Sequence, residues 1–300
     1  MSHSTLDLQS LIVDGIQRAL DRIEVLPRRV LLETPAVAAS VPMLRGVWGA
    51  ALRGLDPAVY RRVFEGRAAP GAAGVQTDTP QYILRPAPPD PQFAPAMEWI
   101  LIGDAIRADE TLRQAWFIAS GMGLGADRRR FQLRQWLRLD AAGRAAEDGR
   151  PWPLGQAAWP WPEPETAPCR LRFDAPLRLR RKGRLIEQPT LADIAVAATR
   201  RVATFLPAED RTAWQPFAER LHAFARRTPQ GPWQGDRLDL ARYSGRQQRE
   251  LELHGISGSL PLPAGPGPLW PLLAAAAWLH IGKGTVMGLG QLRIEAAGRN

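Results

Sequence analysis

The stretch Gly282-Lys-Gly-Thr-Val-Met-Gly-Leu-Gly290 carries the most chemistry in this sequence. Glycines at this density let backbone N–H groups approach an anion without interfering side chains. Lys283 would bring a cation, and His280 a titratable ring, to the edge of such a loop. Two nucleotide motifs are excluded. Lys283 is followed by Gly284 rather than by Ser or Thr, so this is not a P-loop. Met287 stands where a dinucleotide fingerprint needs its third glycine, and the loop follows a helix. Gly282, Gly284, Thr285, Gly288 and Gly290 are the candidate phosphate contacts. The plainer reading is that the glycines only permit a tight helix-to-strand turn.

Charge points to a polyanionic partner. Lys and Arg number 39 against 30 Asp and Glu, a net +9, and each phosphate neutralised by such a surface releases counterions. Lysine occurs only at positions 182 and 283, so nearly all the basic residues are Arg, whose rigid fork of donors suits phosphate. They cluster at Arg128-Arg129-Arg130, at Arg178 through Arg184, at Arg200-Arg201, at Arg226-Arg227 and at Arg242 to Arg249. Arg128, Arg129, Arg130, Arg181 and Lys182 are therefore candidate nucleic-acid contacts, against the alternative of a solvated charged face.

At 300 residues and 45% hydrophobic, the chain can bury two cores. Gly and Pro together (27 and 28) fall below a low-complexity composition. The single Cys169 permits no internal disulfide and no multi-cysteine zinc site, so a reducing cytoplasm is expected. Residues 1–7 have neither a basic leader nor an apolar core, and the apolar run from Leu269 to Leu279 is too short to span a bilayer. No membrane role is expected.

The elements that must position the loop follow from periodicity. An amphipathic helix is predicted over 6–26, a strand over Arg29–Thr34 and a helix over Val41–Leu55. Strands are predicted at 81–86 and 97–103, a helix over 109–120, and a strand over 130–139. Residues 151–168 hold six prolines and read as a linker. The order then restarts: strand 170–179, helix 191–206, a further helical piece 214–226, strands 238–243 and 251–262, helix 269–280, strand 291–296. Each half reads β-α-β-β-α-β. Met-Gly-Leu-Gly recurs at 122–125 and 287–290, at the same place in both halves, which indicates an internal duplication. The expected domains are an N-terminal helix (1–28), a first domain (29–150), the Pro/Trp-rich linker (151–168) and a second domain with the glycine loop (169–300).

Of the eleven Trp residues, Trp48, Trp99, Trp116 and Trp278 lie in apolar surroundings and read as core. Trp152, Trp159 and Trp161 in the linker do not.

Several segments together resemble a known family. Arg242-Tyr-Ser-Gly-Arg246, His254-Gly-Ile-Ser-Gly258 and Leu279-His-Ile-Gly-Lys-Gly-Thr-Val-Met-Gly-Leu-Gly290 are similar to segments of the CRISPR-associated repeat-cleaving endoribonucleases. These are the precursor-crRNA processing members of the RAMP superfamily. In the first half, Leu44-Arg-Gly-Val-Trp-Gly49, Ile100-Leu-Ile-Gly103 and Gly123-Leu-Gly-Ala-Asp-Arg-Arg-Arg-Phe131 are similar to the family's first helix, central strand and first glycine loop. The resemblance implies an α+β chain of two tandem ferredoxin-like (RRM-like) domains, here with an N-terminal helical extension. It implies cleavage within repeat RNA without metal or other cofactor, by 2′-hydroxyl attack, leaving a 2′,3′-cyclic phosphate and a 5′-hydroxyl. RNA is then the partner, with CRISPR effector subunits beside it. Arg242, Tyr243, Ser244 and Arg246 join the expected RNA contacts.

The chain departs from the family in one respect. Many relatives carry a catalytic His in or just after the first helix of the N-terminal domain. Here that helix has Arg45, Trp48 and Arg53, and no His lies between His3 and His222. His280 beside Lys283 is the replacement expected for acid–base work, with Lys283 and Arg45 stabilising charge. Its other reading is a histidine closing the preceding helix. His254 falls on the polar side of an alternating strand, and His222 reads as structural. Two alternatives stay open: a non-catalytic RAMP-type subunit that holds guide RNA in an effector complex, and a plain α/β scaffold with no nucleic-acid role.

Overall fold

The computed structural model describes residues 3–33, 40–66, 79–87, 96–125, 127–147, 149–244 and 249–297, with residues 3–8 and 239–253 described as backbone only. The chain divides into two compact units. One comprises Ile23–Pro153 with Val286–Gly288, here the N-terminal unit. The other comprises Met1–Arg22, Leu154–Thr285 and Leu289–Asn300, here the C-terminal unit.

In the N-terminal unit, β1 (Glu24–Glu33) leads to α2 (Val41–Leu55), a short α3 (Pro57–Val59), β2 (Tyr82–Pro86) and β3 (Ala96–Ile102). Then come α4 (Asp109–Met122), β4 (Gln132–Leu139) and the short strands β5 (Ala145–Ala146) and β6 (Trp152–Pro153). The sheet order is β2-β3-β1-β4-β5, with β6 also on β1. The pairings are antiparallel.

Helix α2 starts where Ser40 accepts a hydrogen bond from the Met43 N–H. It buries Leu44, Trp48, Ala51 and Leu52. Trp48 is the hub of the core: it stacks on Trp116 at 5.2 Å and meets Trp99 and Tyr82 edge-on. Its indole N–H donates to the Leu112 carbonyl at 3.1 Å. Val286 packs on the same core. Two buried ion groups are built into the sheet. Arg28, 2% exposed, grips Asp109 with both terminal nitrogens at 2.5 and 2.6 Å. Glu98 accepts from Arg85 at 2.6 Å and from Arg29 at 2.8 Å.

The C-terminal unit takes α1 (His3–Leu20), β7 (Cys169–Leu177), the hairpin β8 (Arg180–Arg181) and β9 (Arg184–Leu185), α5 (Leu191–Phe205) and α6 (Ala208–Ala225). Strands β10 (Gln234–Ser244) and β11 (Arg249–Leu262), helix α7 (Trp270–Leu279) and β12 (Arg293–Ala296) complete it. Its sheet order is β10-β11-β7-β12. In both units the first and third principal strands are central and the second and fourth flank them. Two ferredoxin-like modules in an α+β chain result. Helix α7 is apolar on every side and buried. No helix among the described residues is long and apolar enough to cross a membrane.

The structure moves three boundaries. Strand β1 begins at Glu24 rather than at Arg29, because Pro27 does not break it. On one side of β1, pairing with β6 ends at Val25 and pairing with β4 begins at Arg28. Pro27 falls in the gap, where a missing N–H costs no ladder bond. Helix α1 stops at Leu20, and the apolar Ile23 leads into β1 instead of closing the helix. It belongs to the C-terminal unit, where its Gly15 lies against the Phe217 ring and Arg22 pairs with Asp210 at 3.0 Å. Within the proline-rich segment, Trp152 pairs with Val25 and donates its N–H to the Leu139 carbonyl, so the first two residues after Pro151 are sheet. Trp159 packs edge-on against Trp161 and Trp270.

Candidate nucleic-acid interface

The glycine loop leaves the end of α7 through a narrow neck. Ile281 N–H donates to the Gly290 carbonyl at 3.0 Å, and Gly290 N–H donates to Pro176 at 3.0 Å. Lys283 N–H donates to the Arg178 carbonyl at 3.1 Å, and Leu289 N–H to Gly284 at 3.4 Å. The backbone at Gly290 has φ 67°, and a Cβ there would collide with the Ile281 carbonyl. At Gly282 (φ 85°) a Cβ would sit 2.9 Å from the Arg178 oxygen. Glycine is thus needed to bring two chain segments together.

These contacts correct the expectation of an open main-chain cradle. Several of its N–H groups are satisfied within the neck. Thr285, Gly288 and Gly290 are buried. Gly282 and Lys283 are exposed, and Gly284 is half-buried.

His280 is corrected as well. It is 0% exposed. Its ring lies inside the neck, with Nδ1 donating to the Leu289 carbonyl at 3.1 Å, since a carbonyl can only accept. Its own N–H closes α7 by donating to Ala276 at 2.9 Å. A ring so enclosed cannot exchange a proton with a bound RNA. The physical reason is the all-apolar helix before it, whose end is as buried as its middle. The apolar run from Pro271 to Leu279, followed by Ile281, was the signal that sequence reasoning passed over.

What stands beside the loop is cationic. Arg178, whose carbonyl holds Lys283, donates from Nε to the His254 carbonyl at 2.8 Å and leads into the hairpin β8–β9. Lys182 (φ 50°) and Gly183 (φ 80°) form its two-residue turn, both left-handed as a tight hairpin demands. Arg180, Lys182 and Arg184 are exposed there. Burial first, and then the neighbouring Arg180, press the Arg178 guanidinium below its ordinary value. Arg181 differs from the others. It pairs with Asp193, the residue that forms a capping box with Thr190 at the start of α5. The loop that bears Lys283 is thus tied to Arg178, just before the hairpin that carries Arg180, Lys182 and Arg184. Arg181 is left largely neutralised.

Arg242, Tyr243 and Ser244 lie at the end of β10, opposite Leu251, Glu250 and Arg249 of β11. Arg246 lies outside the described residues. His222 on α6 binds Thr199 of α5 at 2.7 Å, as expected of a structural histidine.

The N-terminal unit carries its own basic turn. Leu124 and Arg129 exchange both backbone hydrogen bonds, at 2.8 and 3.0 Å, across a turn containing Gly125 and Arg128 (φ 48°). Arg128, Arg129 and Arg130 are exposed on it, and Arg129 reaches Asp127 at 3.4 Å. Arg45 on α2 is half-buried. Its Nε donates to the Tyr82 hydroxyl at 2.8 Å and its guanidinium lies over the Phe64 ring at 4.3 Å. Both contacts fix the group while leaving its terminal nitrogens as donors.

Comparison with known proteins bears on the fold and on the sequence stretch that carries the loop. Residues 171–292 match the sequence profile of the family described as CRISPR-associated endoribonuclease Cas6, so the resemblance read from the sequence holds over that stretch. By sequence, no curated protein matches the chain. Among solved structures, a Cas6 product complex superposes with TM-score 0.57 at 19% identity, covering 91% of this chain and 100% of that one. The Thermus thermophilus Cas6 gives TM-score 0.53 at 15% identity, covering 91% and 98%. The same protein in a product complex gives 0.56 at 16% identity, covering 91% and 98%. At these identities the likeness is one of fold.

Proposed function

We propose that this chain binds CRISPR repeat RNA and cleaves it into guide RNAs. The observation that carries this reading is the hydrogen bond from Lys283 N–H to the Arg178 carbonyl, which ties the loop bearing the exposed Lys283 to the segment that runs on into the hairpin bearing the exposed Arg180, Lys182 and Arg184. Such a cluster suits a ribose-phosphate backbone, and guanidinium groups suit its phosphates. The match of residues 171–292 to the Cas6 family supports the substrate class.

The chemistry needs little from the protein. A 2′-hydroxyl must lie in line with the scissile phosphate and give up its proton, the leaving 5′-oxygen must gain one, both exchanged with water, and the phosphorane charge must be met. The product would carry a 2′,3′-cyclic phosphate, the leaving fragment a 5′-hydroxyl. With His280 enclosed and His222 bound to Thr199, Lys283 and Arg45 are the groups we assign to charge stabilisation. Gly282 and Gly284 let the strand approach closely, and Arg128, Arg129, Arg130, Lys182, Arg242, Tyr243 and Ser244 hold the flanking RNA.

The test is single-turnover incubation with the chain's own repeat RNA in EDTA, with end-group analysis of the fragments. A 2′,3′-cyclic phosphate end is expected; intact RNA would sink the cleavage claim. The enclosure of His280 and the absence of His from α2 favour a second reading, a guide-RNA-binding subunit that does not cut. Tight, salt-dependent binding without cleavage is its signature. Absence of salt-dependent binding would reject both.

A further inference from the structure

The neck of the glycine loop holds two features that RNA contact does not explain. His280 has φ 54° and ψ 156°, backbone territory held almost wholly by glycine, and such strain persists only where surroundings over-determine it. Arg201 on α5 is buried, 9% exposed, and its Nε donates to the Leu279 carbonyl at 3.0 Å. Its guanidinium lies over the Phe205 ring at 4.6 Å. Among the described residues no carboxylate pairs with it. Its counter-charge is the negative end of α7, whose last carbonyl it binds.

We propose that Arg201 and His280 form a buried clamp that sets the exit of the glycine loop, which makes His280 a positioning residue and not the acid or base of the reaction. Arg201 fixes the last turn of α7. His280, the next residue, ties across the neck through Nδ1 to the Leu289 carbonyl, one residue before the Gly290–Ile281 bond. Residues 282–288 then leave a rigid frame, and Lys283 is held against Arg178 before any RNA arrives. Burial lowers the Arg201 guanidinium to about 9, so it keeps its charge at neutral pH. The clamp rests on the reading that this loop meets RNA, but its geometry can be tested without RNA.

Lysine occurs only at 182 and 283. A lysine-specific endoproteinase therefore reports the loop, at Lys283, and an internal control, at Lys182. His280→Asn keeps a side-chain donor for Leu289 and tolerates positive φ, yet exchanges no proton at neutral pH. It should cut repeat RNA at close to the wild-type rate with an unaltered pH profile. His280→Ala and Arg201→Met should speed proteolysis at Lys283, on the order of tenfold, while Lys182 is cut as before. In the same variants KM for RNA should rise more than kcat falls. Arg201→Lys keeps the charge and should restore much of the protection lost in Arg201→Met, and Arg201→Met carries the test if His280→Ala does not fold.

The proposal is overturned if His280→Asn, folded and as protected as wild type, loses roughly 10²–10⁴-fold in rate, the share of an acid–base group. It is equally overturned if Lys283 is cut no faster in His280→Ala and Arg201→Met than in wild type. Should the wild type leave repeat RNA intact, the functional reading falls by itself, and proteolysis at Lys283 still decides the clamp.

Discussion

The Thr199 hydroxyl and the His222 ring nitrogen Nε2 lie 2.7 Å apart, joining α5 to α6. The hydroxyl's single proton goes to the Val196 carbonyl at 3.1 Å, so its oxygen accepts from the His222 Nε2–H. Burial first, and then Arg226 and Arg200, lower the His222 pKa from its ordinary 6.5.

A pH dependence follows. Above about pH 7.5 the ring is neutral folded or unfolded and contributes no slope. As pH falls through 6.5, the unfolded chain takes up a proton that the folded state refuses, so stability is lost toward acid. Urea midpoints should fall more steeply between pH 7.5 and 5.5 in wild type than in His222→Gln. Parallel curves would show that His222 is not the group responsible.

Trp48→Ala should destabilise the N-terminal unit by about 3–5 kcal/mol, the usual cost of removing a large buried aromatic. Trp48 is 0% exposed, and its loss also removes the indole hydrogen bond to the Leu112 carbonyl. Denaturant unfolding monitored by fluorescence would measure it; a loss below about 1 kcal/mol would mean that the core collapses around the gap.

The Arg28–Asp109 pair invites a sharper contrast. Asp109→Ala leaves a guanidinium buried without its carboxylate and should cost about 3–5 kcal/mol. Replacing both partners, Arg28→Met with Asp109→Leu, should recover most of that. A double variant as unstable as the single one would show that the carboxylate matters for something other than that charge.

Cations on the hairpin should not count equally. Changing Arg180, Lys182 and Arg184 to Ala should lower the slope of log K against log salt by about 2, at roughly 0.7 per phosphate contact on a single strand. Arg181→Ala should change it little, because Asp193 already occupies that guanidinium. Equal effects from Arg181 and its neighbours would mean that RNA displaces Asp193.

The basic turn of the N-terminal unit makes a parallel case. Arg128, Arg129 and Arg130 changed to Ala should flatten the salt slope by about 2 as well. If the slope is unchanged, those arginines face solvent alone.

Much of this architecture was legible in the residues. Periodicity located α2, α4, α5 and α7, and the repeated Met-Gly-Leu-Gly marked equivalent turns in two modules. What it missed has physical causes. Pro27 reads as a strand breaker unless the gap between β6 and β4 is known, and that gap is a property of the sheet. The partner of α1 is set by Phe217 and Asp210, about 200 residues away, beyond any local pattern. His280 looked like an edge residue because the loop after it is polar. The apolar helix before it decides its burial.

The docking of α1 has a consequence for how the chain is made. Its seat on α6 and α7 leaves the ribosome long after the helix itself. The nascent chain must therefore carry an amphipathic segment with no home until α6 and α7 have been made, and the module it completes can close only then. A fragment begun at Leu154 would be missing a piece of its own domain.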